Sequence, residues 1–278
     1  MKIINLMEDT CGHRECLWEH GLSFYIETYR HKLLLDTGAT DAFLNNAAKL
    51  SVDLKAVDTV ILSHGHYDHG GGIMAFVKEN PHAGIYIRDK AFGKFYHRSG
   101  EQKRYIGIDE RIMNLPQTIK VEGNMKIDDE LFLFTNVSGR RLWPRGNAEL
   151  LCEKDGLAVG DDFSHEQYLV ISCGGKKILL SGCAHNGILN ILDEYRRIVG
   201  GEPDMVISGF HMMQKSGYGE QESAVIKETA GELAKMHTKF YTCHCTGEEP
   251  YAMMKEVMKD KIDYIRCGEE IIVDGTVV

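Results

Sequence analysis

Short apolar runs separated by polar turns recur along the chain, first as neighbouring strands and then as strands alternating with helices. The run VDTVIL at residues 57–62 has the composition of a buried strand, and residues 222–236 have the apolar spacing of an amphipathic helix. The pattern predicts strands at 2–6, 22–29, 31–35, 57–62, 85–88, 168–172, 177–180, 205–208, 239–243, 264–267 and 271–273, with two or three more within 117–135. It predicts helices at 42–50, 72–80, 188–199, 222–236 and 250–258. This order indicates an α/β fold.

The strand at 57–62 leads directly into a polar cluster, LSHGHYDHGGG, at residues 62–72. Three imidazoles and a carboxylate fall within six residues: His64, His66, Asp68 and His69. Such groups are costly to bury without partners, and a strand end has no need of them. Because side chains alternate along an extended segment, the His-x-His pair directs both rings to one side. Imidazole and carboxylate bind zinc, iron, manganese or nickel, so the cluster predicts a metal site, with a chance polar loop as the weaker alternative.

Three later predicted strands are each followed by a histidine: His185, His211 and His244. One such histidine would more often be structural, but ligands of α/β proteins collect beyond the carboxyl ends of strands. Together with the cluster at 64–69, these strand ends predict one site with more than one metal ion. Asp36, at the end of the predicted strand 31–35, is interpreted as a carboxylate that orients a neighbour by hydrogen bonds rather than as a ligand.

Composition narrows the class of protein. The chain has 278 residues, 43% hydrophobic residues and a net charge of −9, which suits one large domain over residues 1–278 and argues against nucleic-acid binding. No apolar run is long enough for a transmembrane helix, and the N-terminus lacks the features of a signal peptide, so a cytoplasmic protein without membrane contact is expected. The eight cysteines contain no CxxC pair and are expected to be free thiols. The oligomeric state stays open, and a homo-oligomer is compatible with the sequence.

Six motifs make the chain similar to a known family: EHGLSFYIE at 19–27, LLLDTG at 33–38, LSHGHYDHGGG at 62–72, SGCAHNGI at 181–188, GFH at 209–211 and HCTG at 244–247. They resemble the metallo-β-lactamase superfamily, whose signature His-x-His-x-Asp-His is matched at residues 64–69. Within it, they look like the branch described as 7,8-dihydropterin-6-yl-methyl-4-(β-D-ribofuranosyl)aminobenzene-5′-phosphate synthase-like metallo-hydrolases. The resemblance implies a four-layer αβ/βα sandwich of two mixed sheets with metals at one edge.

The resemblance also implies a cofactor of two divalent metal ions. The first would be bound by His64, His66 and His185, and the second by Asp68, His69 and His244. Zinc is the leading candidate, with manganese, iron and nickel as alternatives.

One position departs from the superfamily pattern. Many members place an aspartate that bridges the two metals where this chain has Cys183. Cys183 is interpreted as a residue beside the ligands, with direct ligation as the alternative. His211 is a candidate for substrate contact or proton donation. By alternation about His244, Cys243 and Cys245 are expected to face away from the site.

Two basic, aromatic segments are candidates for substrate binding. Residues 88–104 include Lys94 and Arg98, and residues 139–146, GRRLWPRG, include Arg140, Arg141 and Trp143. Arginine forks and indole faces suit phosphates and rings, respectively. In both cases an exposed surface loop is an equal alternative. A zinc knuckle built from Cys11, His13 and Cys16 is disfavoured because a fourth ligand is missing.

The leading hypothesis is a metal-dependent hydrolase that uses a metal-activated hydroxide, with Asp68 orienting the water. The expected substrate is a small anionic molecule that carries a ring and a phosphoester. The alternatives are a hydrolase of carboxylic esters, lactones or thioesters, and a non-catalytic module that anchors a pterin or another ligand through its metal. Iron redox chemistry is disfavoured because no flavin-binding domain follows the metal motifs.

Overall fold

The computed structural model describes residues 1–12, 15–214 and 217–273. The strands are β1 (Lys2–Met7), β2 (Ser23–Glu27), β3 (Lys32–Leu35), β4 (Thr59–Leu62), β5 (Gly84–Arg88), β6 (Phe95–Ser99), β7 (Gln102–Tyr105), β8 (Thr118–Val121), β9 (Met125–Lys126), β10 (Leu131–Thr135), β11 (Leu150–Lys154), β12 (Leu157–Gly160), β13 (Gln167–Cys173), β14 (Lys176–Leu180), β15 (Met205–Ser208), β16 (Lys239–Thr242), β17 (Ile262–Tyr264) and β18 (Glu270–Ile272). The helices are α1 (Ala42–Lys49), α2 (Tyr67–Gly70), α3 (Ile73–Glu79), α4 (Ile188–Ile198), α5 (Glu220–Ala234) and α6 (Glu248–Met258).

Two seven-stranded sheets form the centre of the molecule. The first has the order β18-β1-β2-β3-β4-β5-β8, and the second has the order β17-β16-β15-β14-β13-β10-β9. Both are mixed, because β3, β4, β5 and β8 run parallel in the first sheet and β14 to β17 run parallel in the second. Helices α1 and α3 pack on the outer face of the first sheet, and α4 to α6 on the outer face of the second. The predicted four-layer sandwich is confirmed.

The side chains of β4 alternate between the two faces of the first sheet, and both faces are buried. Val60 and Leu62 belong to the apolar core beneath the helices, whereas Ile61 belongs to the core between the two sheets, and all three side chains are fully buried. A strand covered on both faces therefore appears as a continuous apolar run in the sequence.

Helix α4 has the apolar spacing of a helix that is buried on one face. Ile188, Ile191, Leu192 and Tyr195 recur at the spacing of one helical face and are buried against the second sheet. This face fixes the helix directly behind the loop that joins it to β14.

A third, four-stranded sheet was not predicted. It has the order β12-β11-β6-β7, and its strands β6 and β7 contain residues 95–99 and 102–104 of the segment 88–104, which was interpreted as a loop or cap. Both edge strands, β7 and β12, are exposed at every residue, so they lack the apolar alternation by which half-buried strands are recognised. Phe95 of β6 anchors this sheet in a small core with Ile106, Leu150, Cys152 and Phe163.

Among the described residues, none of the helices combines the length and the apolar character that crossing a bilayer requires.

His31 links the two large sheets. Its Nδ1 lies 2.8 Å from Asp58 Oδ1, next to β4, and its Nε2 lies 2.7 Å from Asp128 Oδ2, in the turn before β10. Burial lowers the pKa of His31, but the hydrogen bonds with Asp128 and Asp58 outweigh this effect, so the pKa is raised. His31 therefore joins two carboxylates from different sheets, and protonation of its ring strengthens both contacts.

Replacing His31 with alanine should destabilise the protein more at low pH than at high pH. The folded-state pKa is raised, so the stabilisation is complete below pH ~6.5 and is lost as the pH rises through the folded-state value. We expect a loss of about 1 kcal/mol at pH 5.5, equivalent to roughly 2–4 °C in Tm, and a smaller loss at pH 8.5. Thermal unfolding of variant and wild type at both pH values measures the difference. The exposed His82 provides the control for the loss of a surface imidazole, and an H31A effect of equal size at the two pH values would contradict the prediction.

Candidate metal centre

The carboxyl ends of the parallel strands of both large sheets meet at one edge of the sandwich. His64 and His66 follow β4, and the short helix α2 then carries Asp68 and His69. From the second sheet, Cys183 and His185 follow β14, His211 follows β15, and His244 follows β16. Apart from the partly exposed His211, all of these side chains are buried. The structure therefore brings the predicted ligands together from three separate strand ends, with His211 at a fourth.

His64, His66 and His185 form a three-histidine cluster. The Nε2 atom of His64 lies 3.0 Å from Nδ1 of His66 and 3.3 Å from Nε2 of His185. Tetrahedral zinc binds imidazole nitrogen at ~2.0–2.1 Å, so two of its nitrogen ligands lie roughly 3.3 Å apart. Each of these two nitrogen pairs therefore has the spacing of two ligands around one ion.

Asp68, His69 and His244 form an aspartate cluster next to the first. The Oδ2 atom of Asp68 lies 3.6 Å from His69 Nε2 and 3.5 Å from His244 Nε2. The Nε2 atom of His244 is buried and has no hydrogen-bond partner among the described residues. A buried nitrogen aimed at a carboxylate without a hydrogen bond is well placed to bind a cation.

Cys183 lies between the two clusters. Its Sγ is 3.2 Å from His69 Nε2. The thiol and the aspartate cluster form one set of potential ligand atoms that lie within 4.8 Å of one another, and the thiol forms a second such set with His64 and His185. Burial raises the pKa of the Cys183 thiol well above its usual range, so the thiol stays protonated unless a cation binds.

Asp36 fixes the orientation of two rings. Its Oδ2 accepts hydrogen bonds from His69 Nδ1 and from the hydroxyl of Ser63, both at 2.7 Å, and its Oδ1 accepts the amide of Ser63 at 2.7 Å. The Ser63 hydroxyl in turn lies 2.9 Å from His64 Nδ1. With the protons held on the Nδ1 atoms, the Nε2 lone pairs of His64 and His69 face the centre.

Two further rings, those of His185 and His244, are oriented from other parts of the chain. The Oδ1 atom of Asn147 lies 3.1 Å from His185 Nδ1, while its amide donates to the His185 carbonyl at 2.7 Å, which fixes the amide orientation. Asp9 Oδ1 is hydrogen-bonded to His244 Nδ1. Metal-binding histidines characteristically donate their outer N–H to such acceptors.

The two clusters differ electrostatically. Burial, reinforced by the neighbouring rings, lowers the pKa of His64 well below its usual range and that of His66 to about 3. Burial also acts to lower the pKa of His244, but Asp9 and Asp68 outweigh it and raise this pKa well above its usual range. The three-histidine cluster is therefore neutral, whereas the aspartate cluster already attracts positive charge.

These features fit a metal centre. The nitrogen spacing, the oriented lone pairs and the unpartnered nitrogen of His244 are all explained by cations bound in the two clusters. The donor set of imidazole, carboxylate and thiol is suited to zinc or iron.

The comparisons with known proteins agree with this geometry. A model of the metallo-beta-lactamase superfamily matches residues 17–234. The chain belongs to the metallo-β-lactamase superfamily.

Two relatives and one solved structure are similar to the chain over most of its length. An uncharacterized protein of Methanocaldococcus jannaschii is 30% identical over 216 residues, which cover 76% of this chain and 80% of the relative. The 7,8-dihydropterin-6-methyl-4-(β-D-ribofuranosyl)-aminobenzene-5′-phosphate synthase of the same organism is 26% identical over 98% of this chain and 96% of its own. A crystal structure described as a metal-dependent hydrolase of the beta-lactamase superfamily matches with a TM-score of 0.80 and 29% identity, covering 98% of this chain and 99% of the other.

The structure places Cys245 differently from the sequence prediction. Alternation about His244 was expected to turn Cys245 away, but β16 ends at Thr242 and residues His244–Thr246 form a 3-10 turn. His244 has a φ of 50°, so the period of two does not apply here. The Cys245 Sγ instead lies within 4.8 Å of ligand atoms of Cys183 and His211.

His211 lies at the edge of the candidate metal centre. Its ring centroid is 4.2 Å from that of His185, and its Nδ1 is buried without a hydrogen-bond partner among the described residues. Its φ of 49° is unusual for a residue other than glycine and holds the ring against His185.

Of the proposed substrate-binding residues, Arg140 and Trp143 are connected to the predicted ligand His185 by a chain of ring contacts. The Arg140 guanidinium is 4.6 Å from the Trp143 ring, Trp143 packs edge-on against Phe163, and Phe163 stacks on the predicted ligand His185 at 4.6 Å. Arg140 donates to Asn186 Oδ1 and to two carbonyls, and it has no ion pair within the described ranges.

The other proposed substrate-binding residues are engaged elsewhere. Arg141 pairs with Asp193 and Glu232, and Lys94 pairs with Glu153. Arg98 donates to the carbonyl of Ala148. Because the charges of Arg141 and Lys94 are already paired, these two side chains add no argument for anion binding. In the zinc knuckle considered above, His13 lies outside the described residues.

Several residues of the centre were not found from the sequence. Asp9 and Asn147 orient ligands, and Glu166 accepts the amide of His185 at 2.6 Å and that of Asn186 at 2.9 Å. They come from loops or turns without a motif, so no sequence signal marked them. His165 holds the backbone of Gly65 through Nδ1 at 3.0 Å and pairs with Asp161, an assembly that supports the loop between His64 and His66.

Replacing Asp9 with asparagine should weaken metal binding in the aspartate cluster alone. Asparagine keeps the size of the side chain but removes the charge that holds His244, and loss of such a partner typically costs about 10–100-fold in metal affinity. Competition with a chromophoric chelator measures the two zinc affinities separately. We expect one of the two affinities to fall in D9N and the other to be unchanged.

The exposed Asp41, at the start of α1, provides the matched control. D41N should bind zinc like the wild type. Two unchanged affinities in D9N would show that Asp9 does not support a metal ligand.

Proposed function

We propose that this protein is a metal-dependent hydrolase acting on a phosphoester of a small, anionic, ring-bearing molecule. The observation that carries the proposal is the preorganised centre: four ligand histidines have their outer nitrogens hydrogen-bonded to Asp36, Ser63, Asn147 and Asp9. The three-histidine cluster would hold one divalent ion, and the aspartate cluster the second, with zinc as the leading candidate.

Divalent ions bound there would supply Lewis-acid stabilisation of a developing negative charge and water with a pKa of about 7. Asp68 lies between His69, His244 and the half-exposed His20, whose Nε2 is 3.5 Å from Asp68 Oδ2. In this position the Asp68 carboxylate would orient the attacking water by accepting a hydrogen bond from it. We propose that His211, beside His185, donates a proton to the leaving group through a ring nitrogen.

Two features support an anionic substrate with a ring. Arg140 carries a charge that no described carboxylate neutralises, and it lies over the indole of Trp143. A guanidinium next to an aromatic face suits a phosphate attached to a ring system. The relative that matches along nearly the whole chain is named for a product that contains a pterin and a phosphate.

A carboxylic ester, lactone or thioester is the competing substrate class, since the same metal centre would stabilise the oxyanion of its tetrahedral intermediate. Arg140 favours the phosphoester because a neutral ester gains nothing from an unpaired guanidinium near the site. A pterin-binding module without turnover is the non-enzymatic alternative.

The test is hydrolysis of a substrate panel by zinc-loaded protein. We expect turnover of a nitrophenyl phosphodiester, with little turnover of lactones and thioesters. His66→Ala removes one ligand of the three-histidine cluster and should lower kcat/KM by at least about 100-fold. His82→Ala, which alters an exposed histidine outside the clusters, should retain full activity.

Arg140→Gln tests the substrate class separately. It should raise KM for the phosphodiester and leave any slow turnover of neutral esters unchanged. Zinc-loaded protein that hydrolyses lactones or thioesters in preference to phosphodiesters would overturn the phosphoester assignment. Tight pterin binding without turnover of any ester would overturn the assignment as a hydrolase.

A further inference from the structure

We propose that the Cys183 thiolate is a metal ligand shared by both ions of the centre. This inference rests on the metal centre of the proposed function but not on the reaction that the centre performs.

The position of the sulfur is the first argument. Cys183 Sγ groups with Asp68, His69 and His244 on one side and with His64 and His185 on the other, each time within ligand-forming range. It is 3.2 Å from His69 Nε2, whose lone pair is directed at it by the hydrogen bond from Nδ1 to Asp36. Among the described residues, no carboxylate belongs to both of these sets. A single donor between two ions must therefore come from this side chain or from solvent.

The local backbone explains why the sulfur reaches this point. A Cβ on Gly182 would lie only 2.2 Å from Ser63 Oγ, so the glycine lets the end of β14 approach the end of β4 directly. Gly182 is held there because its carbonyl accepts the amide of Gly209 at 2.8 Å. Ala184 then adopts a φ of 52°, and both Cys183 and His185 belong to the set that includes His64.

Cys245 is the nearby alternative, but its contacts do not place it between the ions. Its Sγ is within range of Cys183 and His211 and belongs to neither set that contains the ligands His64 or His69. Cys245 also contacts Gly209, where an added Cβ would lie 2.5 Å from the sulfur. Its surroundings therefore fix it behind Cys183 rather than in the centre.

A shared thiolate has a consequence for the choice of metal. When the ions bind, the Cys183 proton passes to solvent and the sulfur becomes a soft anionic ligand. Soft thiolates select zinc or iron, whereas an aspartate in the same place would suit manganese. The centre should therefore discriminate against manganese through this one residue.

X-ray absorption at the zinc edge tests the proposal without any substrate. Protein loaded with two zinc ions should show sulfur scattering at about 2.3 Å, with about one sulfur per zinc for a shared ligand and about half for a ligand of one ion. Cobalt-loaded protein should likewise show sulfur-to-cobalt charge-transfer absorption in the near ultraviolet. Both signals should disappear in C183S and persist in the matched control C245S.

Cys183→Asp is the second variant and keeps a charged donor at the position. It should bind two ions without the sulfur signal, and the ratio of its zinc affinity to its manganese affinity should fall at least 10-fold relative to the wild type. Circular dichroism verifies that each variant is folded. If C183S does not fold, the comparison of the sulfur signal between the wild type and C183D tests whether Cys183 is the ligand.

Three results would overturn the inference: no sulfur scattering in the wild type, about half a sulfur per zinc, or a sulfur signal that C245S abolishes. These outcomes are independent of catalysis. A centre with zinc–sulfur bonds but no ester turnover would contradict the proposed function and leave Cys183 as a ligand. Ester turnover by a centre without zinc–sulfur bonds would support the proposed function and overturn the inference about Cys183.

Discussion

The burial of five imidazole rings at one sheet edge is the constraint on which the rest of the centre depends. Each ring has two nitrogens, and a buried nitrogen without a partner is costly. The outer nitrogens of His64 and His185 are satisfied by acceptors, which leaves their inner Nε2 atoms, 3.3 Å apart, facing each other as lone pairs. Lone pairs cannot satisfy each other. Cations between them can, so the arrangement favours metal binding before any substrate arrives.

The acceptors connect this local requirement to the whole fold. Asp9 comes from the loop after β1, and the neighbouring Glu8 accepts the amide of His244 and the hydroxyl of Tyr264, both at 3.1 Å. Asp36 ends β3 of the first sheet, while Asn147 precedes β11 of the third. The ligand shell is therefore complete only when all three sheets are assembled. Metal binding to this assembled state should in turn stabilise it, because the unfolded chain offers no such site.

The sequence pattern predicted the buried strands and a metal site, and the resemblance to the superfamily implied the layers, for identifiable reasons. β4 is buried on both faces, so its apolar run was visible, and the motif at 64–69 concentrates ligands in one short segment. The third sheet was missed because β7 and β12 are exposed at every residue. Asp9 and Asn147 were missed because their role depends on contacts between segments that are distant in the chain. Hydrogen bonds of this kind leave no periodicity to detect.

The two cysteines beside the ligands show where a local rule stops working. Alternation assumes an extended backbone, and it fails after β16, where His244 enters a left-handed conformation and the chain turns into a 3-10 segment. After β14, the left-handed Ala184 and the close approach of Gly182 to Ser63 determine where the side chains go. Cys183 consequently lies between the clusters and Cys245 lies behind it. The sequence reveals which chemical groups reach this edge, and the turns after the strands decide which of them can bind a metal.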